Sequence, residues 1–341
     1  MEYFRQRFID ELNDEGDIEI RSLRWTRHEI LESMDQQAAQ TAFGEWVEQI
    51  KYEAKDRVRE FLTENGCLDR FRALCHRHQQ RSVVPFIGAG MSIPSGFQPW
   101  ATFLLSLIPD APHLREEVQQ MIDAGRYEDA AQHVEDTLGP DIMAEEIHNR
   151  LGAHHQRTFG PVKLLPFLFQ AEVITTNFDH ILPAAYRNCE LAFLRDFCGA
   201  ELPDVPRRLA NDPHCLLRLH GAAETLNGRV LTTREYNAAY RDDGIMGELL
   251  ERIISMRSLL FLGCSLQGDR TYAALQQIRA RAQVQAAAHY AFLPLPADDR
   301  MARRQFLAGA GIHPIYYPAD THDQSIEDLL VTMIEGGPDD R

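Results

Sequence analysis

Lysine is nearly missing from this chain: three in 341 residues, Lys51, Lys55 and Lys163. None of them closes a GxxxxGK[ST] loop, which excludes a Walker-type nucleotide hydrolase site within the chain. Paired CxxC thiols are missing as well. The six cysteines (Cys67, Cys75, Cys189, Cys198, Cys215, Cys264) have no regular spacing and offer no four-ligand zinc set. No apolar leader core interrupts the charges of MEYFRQRFIDELNDEGD. Free thiols in a reducing, cytoplasmic setting are therefore expected. The 27-residue charge-free run Val83–Pro109 is broken by four prolines and three glycines, so it reads as buried strand and tight loop, not a membrane span. Basic residues are in deficit too, 35 against 51 acidic ones, for a net charge of −16. That balance argues against a general grip on nucleic acid.

What is present is ordinary globular material, 44% hydrophobic and 25% charged, long enough for a large core. Residues 1–80 read mainly as helix, with apolar positions at helical spacing (Phe43, Trp46, Val47, Ile50, then Val58, Phe61, Leu62) and Gly66 as a C-cap. From residue 82 the texture changes. Short aliphatic runs at Val83–Ile87, Glu172–Thr176, Cys215–His220, Leu259–Gly263, His289–Leu295 and Pro314–Tyr317 alternate with helical stretches. The latter include Trp100–Leu107, Asp179–Arg187, Ile245–Arg257, Asp269–Gln283, Asp298–Ala308 and Asp323–Ile334. Strands apolar on both faces and separated by helices predict an α/β fold with a Rossmann-like, mostly parallel, doubly wound sheet. The stretch from about 110 to 165 is too long for a crossover and reads as a helical insertion. The expected division is an N-terminal helical region (1–80) for assembly or docking, a nucleotide-binding unit (81–321) and a C-terminal helix and tail (322–341).

Four segments carry candidate chemistry. The first is Gly88-Ala89-Gly90-Met91-Ser92, where a buried strand ends in small residues that let a backbone approach a pyrophosphate; a glycine turn needed only for chain reversal is the plainer reading. The second is Thr176-Asn177-Phe178-Asp179, polar residues at a strand's carboxyl end, where Asp179 reads equally as a helix N-cap. The third is Leu219-His220-Gly221, a histidine placed for acid/base work among 14 histidines, most of which such work does not need. The fourth is Gly263-Cys264-Ser265, another small-residue turn after an apolar strand. Glu145-x-x-His148 and Cys75-His76-Arg77-His78 have no second ligand set and read as solvated helix faces.

In order and spacing, these four segments resemble the sirtuin (SIR2-like) family over roughly residues 82–290. The resemblance implies a Rossmann-like domain binding NAD across its strand ends. Gly88, Ala89, Gly90 and Ser92 would face the phosphates and adjoining ribose. Thr176 would be among the cofactor-binding residues, Asn177 would sit at the nicotinamide ribose, Asp179 would support that loop, and His220 would serve as acid/base on the ribose hydroxyls. Gly263 and Ser265 would hold the adenosine side. The paired cysteines of the zinc-bearing deacylases are absent, and so is their GIPDFR segment; Ile93-Pro94-Ser95-Gly96-Phe97-Gln98-Pro99-Trp100 stands in its place. Trp100 and the Leu231–Tyr236 segment look like bacterial SIR2-like defence proteins. The resemblance to that branch implies NAD cleavage to nicotinamide and ADP-ribose in anti-phage defence, with Asn177 and His220 catalytic and no zinc. It also implies a homo-oligomer, with a HerA-type ATPase or Argonaute-like protein as partner, and no direct nucleic-acid or membrane contact. An NAD or ADP-ribose sensor without turnover, and a zinc-free deacylase, are the alternatives.

Overall fold

The computed structural model describes the chain apart from residues 1, 15, 21–22, 153–156, 199–201, 203–213, 226–227, 241–244, 255–256, 268–269, 282–286 and 340–341. A small antiparallel hairpin, β1 (Ile18–Ile20) and β2 (Leu23–Trp25), stands near the start. Seven strands then form one parallel sheet: β3 (Val83–Ile87), β4 (Val173–Thr175), β5 (Arg195–Cys198), β6 (Cys215–Arg218), β7 (Ser258–Leu262), β8 (His289–Pro294) and β9 (Ile312–Tyr317). Their spatial order is β5-β6-β4-β3-β7-β8-β9. Every residue of β4, β6 and β7 is buried, as expected of strands covered by helices on both faces. The expected doubly wound α/β architecture is the one found.

The order contains a reversal that matters for function. From β3 the chain lays β4 alongside, crosses to the edge strand β5, fills the gap with β6, and then returns to lay β7 against the other side of β3. In such sheets a crevice opens at the carboxyl ends of the two strands flanking the reversal. The turns after β3 and β7 are the Gly88 and Gly263 segments.

The helix Gln36–Glu64 is capped by the Asp35 carboxylate, which accepts from Ala38 N at 2.9 Å. Its buried stripe Val47, Ile50, Ala54, Val58, Phe61, Leu62 follows three- and four-residue spacing. Gly66, at φ +56°, turns the chain into the helix Leu68–Gln79. Both helices share one continuous core with the sheet and with the C-terminal helix His322–Ile334. Polar ties reinforce that packing: Arg57 grips buried Asp328 at 2.8 and 2.9 Å, and Tyr3 and Arg7 both bond Glu327. Covering the sheet is thus a structural duty of residues 36–79.

Four helices, Trp100–Ser106, Pro112–Asp123, Tyr127–Leu138 and Pro140–Leu151, form a second core around Leu104, Val118, Ala130, Val134 and Ile147. Phe178, Ala223 and Leu231, from loops at the carboxyl ends of the strands, are buried in that same cluster. This packing seats the insertion beside the crevice.

Some elements differ from expectation. Neither the hairpin nor β5 is foreshadowed by the sequence pattern. β5 reads RDFC and is an edge strand with only Phe197 fully buried, so its sequence shows no apolar run. β9 begins at Ile312, before Pro314. The helix expected from Ile245 is described as Ile245–Ile254, and the one expected from Asp269 as Arg270–Arg281. Asp269 itself, and the ends of these two predicted helices at 255–256 and 282–283, lie outside the described residues.

Candidate active site

A cavity of about 620 Å³ opens at the crevice, within the ordinary range for small-molecule sites. All ten residues singled out from the sequence line it: Gly88, Ala89, Gly90, Ser92, Thr176, Asn177, Asp179, His220, Gly263 and Ser265.

The glycines act chiefly by making room. Gly88 N donates to Leu262 O at 2.8 Å and Gly90 N to Gly263 O at 2.9 Å, so both amides are spent zipping the β3 turn to the β7 turn. A Cβ on Gly88 would stand 2.5 Å from Gly263 O, and one on Gly90 2.8 Å from Gly263 Cα. Gly263 itself has φ +67°, and its Cβ would meet Met91 N at 2.5 Å. After Gly88 the chain enters a 3-10 stretch, Ala89–Ser95, and the α-helix begins at Trp100, as expected from the sequence. As the first residue of that stretch, Ala89 has no intrahelical acceptor for its N–H, and it lines the cavity. Gly263→Ala combines left-handed strain with backbone overlap, and we expect it to lower unfolding stability by about 2–4 kcal/mol in a denaturant titration. A loss under about 0.5 kcal/mol would show that the two turns are not locked together as described.

Asn177 sits under this turn. Its Nδ2 donates to Gly88 O at 3.1 Å and to Ser92 Oγ at 3.2 Å, and its own amide donates to Thr175 Oγ1 at 3.0 Å. With the amide nitrogen thus fixed, Asn177 Oδ1 is left as a buried acceptor without a protein partner. A buried acceptor of that kind is costly unless a ligand or water completes it. Asp179 is buried beside it, and its Oδ1 accepts from Ile181 N at 3.0 Å. Burial pushes its carboxyl above the usual range, against the pull of the Ile181 amide, Ser92 and Arg218. The next helix starts at Ile181 with His180, not Asp179, at its N-cap, so the capping role expected of Asp179 does not hold: its carboxylate closes a short turn just before the helix.

His220 follows β6 and is 7% exposed. Its Nε2 is 2.9 Å from Tyr240 Oη, and its Nδ1 is 3.5 Å from Tyr236 Oη. Tyr236 lies on the helix Thr233–Ala239, whose start is fixed by a reciprocal cap between Thr232 and Glu235, and Tyr240 ends it. Burial pushes the imidazole down to about 3, so it is neutral at physiological pH. His289, buried in β8 and accepting from Leu259 N at 3.1 Å, is held near 4, again chiefly by burial. Both pKa values lie below the unfolded value of about 6.5. The stability each contributes is complete above about pH 6.5 and is lost as pH falls towards the folded values. Thermal melts from about pH 7.5 to 5 should therefore show a falling midpoint, and His289→Gln should flatten the fall. A midpoint independent of pH over that window would contradict neutral burial of both rings.

Apart from Phe178 and the Ile93–Trp100 and Leu231–Tyr236 segments, the rest of the wall was not legible from the sequence. Trp100 stacks on Phe103, with centroids 5.1 Å apart, and lies 5.9 Å from Phe178. The insertion supplies Arg126, Tyr127, Glu128 and Asp129. Arg270 spans from the start of its helix to Glu128 at 3.0 and 3.2 Å and to Asn237 at 2.9 Å. Asp129 accepts from Thr233 and Arg126 at 2.6 and 2.7 Å, which hold its carboxyl below the usual range. Nothing in the sequence marks the start of one surface helix as the part that meets a distant loop.

Among the described residues, no group of three or more His, Cys, Asp or Glu could hold a metal ion. Glu145 and His148 therefore gather no third ligand there, nor do Cys75 and its neighbouring histidines. No helix among the described residues is long and apolar enough to cross a membrane.

The family model for the SIR2-like domain matches residues 171–315. The match supports the SIR2-like family and, with it, an NAD-related function in general. Asn177, Asp179, His220, Gly263 and Ser265 lie inside the match; the Gly88–Ser92 turn lies before it and is joined to it by the cavity. No curated protein matches the chain.

Proposed function

From a SIR2-like domain at residues 171–315 and the cavity at its strand ends, we propose that the chain is an NAD glycohydrolase. The observation that carries the reading is Asn177. Its amide nitrogen is pinned to the glycine turn, its oxygen is buried without a protein partner, and the residue lines the same cavity as a buried, neutral histidine. A nucleotide-sized cavity, two glycine turns with no room for a Cβ and an acceptor awaiting a donor fit a dinucleotide. In the reaction the C1′–N bond breaks and its electron pair leaves with the nicotinamide ring nitrogen, which becomes neutral. Water adds to the oxocarbenium-like C1′ and one proton is released. Asn177 Oδ1 would hold a ribose hydroxyl or the attacking water, and neutral His220 would accept the proton. Trp100 and Phe178 provide flat apolar surface for a ring that is cationic before cleavage and neutral after it.

Hydrolysis is favoured over acyl transfer because the residues around His220 are themselves occupied. Tyr236 and Tyr240 close on its two nitrogens, and the Arg270–Glu128 pair spans the wall from helix to insertion. Water passes such a wall more readily than an acyl-lysine side chain. A role in anti-phage defence by NAD depletion, a homo-oligomeric form and a HerA-type or Argonaute-like partner belong to the same reading, as does operation without zinc. Nicotinamide release measured with and without acyl-lysine peptides tests the choice of acceptor. Equal rates are expected; release that requires the peptide would assign a deacylase.

A further inference from the structure

We infer that Arg218 is the positioning residue of this site, acting through the backbone of the Asn177 loop; the inference rests on the functional reading of Asn177. Arg218 ends β6, in register with Thr175, the last residue of β4. It is 1% exposed, the largest fully buried side chain among the described residues. Its Nη1 donates to Asn177 O at 3.2 Å and to Asp179 O at 2.9 Å. Phe178 O, between them, accepts from Ala223 N at 3.0 Å. Three consecutive carbonyls are thus held from the β6 side, while Asn177 N is held by Thr175 Oγ1. The other edge of the guanidinium completes the brace. Nε bonds both oxygens of Asp196 at 3.0 and 3.1 Å, and Nη2 lies 3.5 Å from His180 Nδ1, whose Nε2 is 2.8 Å from Glu224.

The direction of this network separates positioning from simple charge pairing. The Asp196 side chain is 43% exposed, so water can solvate it without help from the arginine. The buried partner is the arginine, and a buried guanidinium is disfavoured unless its donors are matched. Here they are matched by backbone oxygens of the one loop that carries Asn177. That loop fixes the Asn177 side chain with Nδ2 on Gly88 and Ser92, leaving Oδ1 for the ligand. Arginine is the only side chain whose planar fork reaches a carboxylate and two carbonyls together; a lysine has one nitrogen in one place.

The test uses the full chain with Arg218→Lys and Asp196→Asn. For Arg218→Lys we expect the rate constant for NAD cleavage to fall about tenfold or more, the scale for a misplaced catalytic group, with KM within about twofold. Amide exchange across residues 176–180 should accelerate, while β8 and β9 keep their protection. Added to Asn177→Ala, the substitution should cause no further loss, because both act on one element. Asp196→Asn should show the same pattern more weakly, and it decides the matter if the lysine variant fails to fold. Unchanged exchange at 176–180, a loss carried by KM alone, or losses that add to Asn177→Ala would overturn the role. Should the unaltered protein leave NAD intact, the hydrolase reading fails, and the exchange measurement still decides for or against Arg218.

Discussion

Asn177→Ala and His220→Ala are each expected to lower NAD cleavage by roughly 10²-fold or more, the scale for losing one positioned polar group or proton acceptor. The two losses should differ in character. Asn177 touches the glycine turn through Gly88 and Ser92, so its removal frees both the reacting ribose and the turn beneath it. The His220 ring is held by tyrosines and makes no bond to either glycine turn, so its removal should leave ADP-ribose affinity close to the starting value while turnover collapses. Both proteins should fold, since each position lies at the rim of the sheet and each loses only a hydrogen bond or two, about 1–3 kcal/mol. Turnover and ADP-ribose titration on the same preparations check this. A well-folded His220→Ala chain with near-normal turnover would remove the histidine from the mechanism.

Deleting residues 1–80 is expected to abolish folding. Val58, Leu62, Phe71 and Leu74 are fully buried in the core shared with the sheet. At about 2 kcal/mol for each such side chain, the four together contribute on the order of 8 kcal/mol, comparable with the whole stability of a typical domain. The deletion would also strip Arg57 from Asp328, leaving a buried carboxylate unpaired. Circular dichroism and a denaturant titration of the truncated chain should show no cooperative transition. A monodisperse remainder that melts cooperatively would mean the helices are an appendage, free to serve only assembly. As the packing stands, assembly or docking would have to use their outward faces.

The sheet and the four motif turns were readable because most of the strands are uninterrupted apolar runs that end in glycine or a polar residue. Val83–Ile87 before Gly88 and Ser258–Leu262 before Gly263 are the clearest cases. The edge strand Arg195–Cys198 was not readable, because a strand buried on one face and open at one edge needs no apolar run. The role of the glycines was readable only in part. Sequence shows that a backbone must come close; the structure shows that the approach is between two turns of the protein, with the Gly88 and Gly90 amides consumed by the carbonyls of Leu262 and Gly263. Arg218 stood in plain view in Leu217-Arg218-Leu219-His220, yet a charged residue inside a buried strand gives no hint of its partners. Asp196 and the carbonyls of Asn177 and Asp179 are brought to it only by the pairing of β6 with β4 and β5. Likewise, Glu128 and Arg270 lie 142 residues apart and meet only because the insertion packs beside the strand ends.

Incubating the full chain with NAD for hours, at protein concentrations comparable to that of NAD, tests the central claim most directly. Such amounts make even slow turnover visible. The expected result is equimolar nicotinamide and ADP-ribose, accumulating in proportion to protein and absent with Asn177→Ala. NAD that binds in the cavity yet is recovered intact would contradict hydrolysis and leave a binding protein in its place.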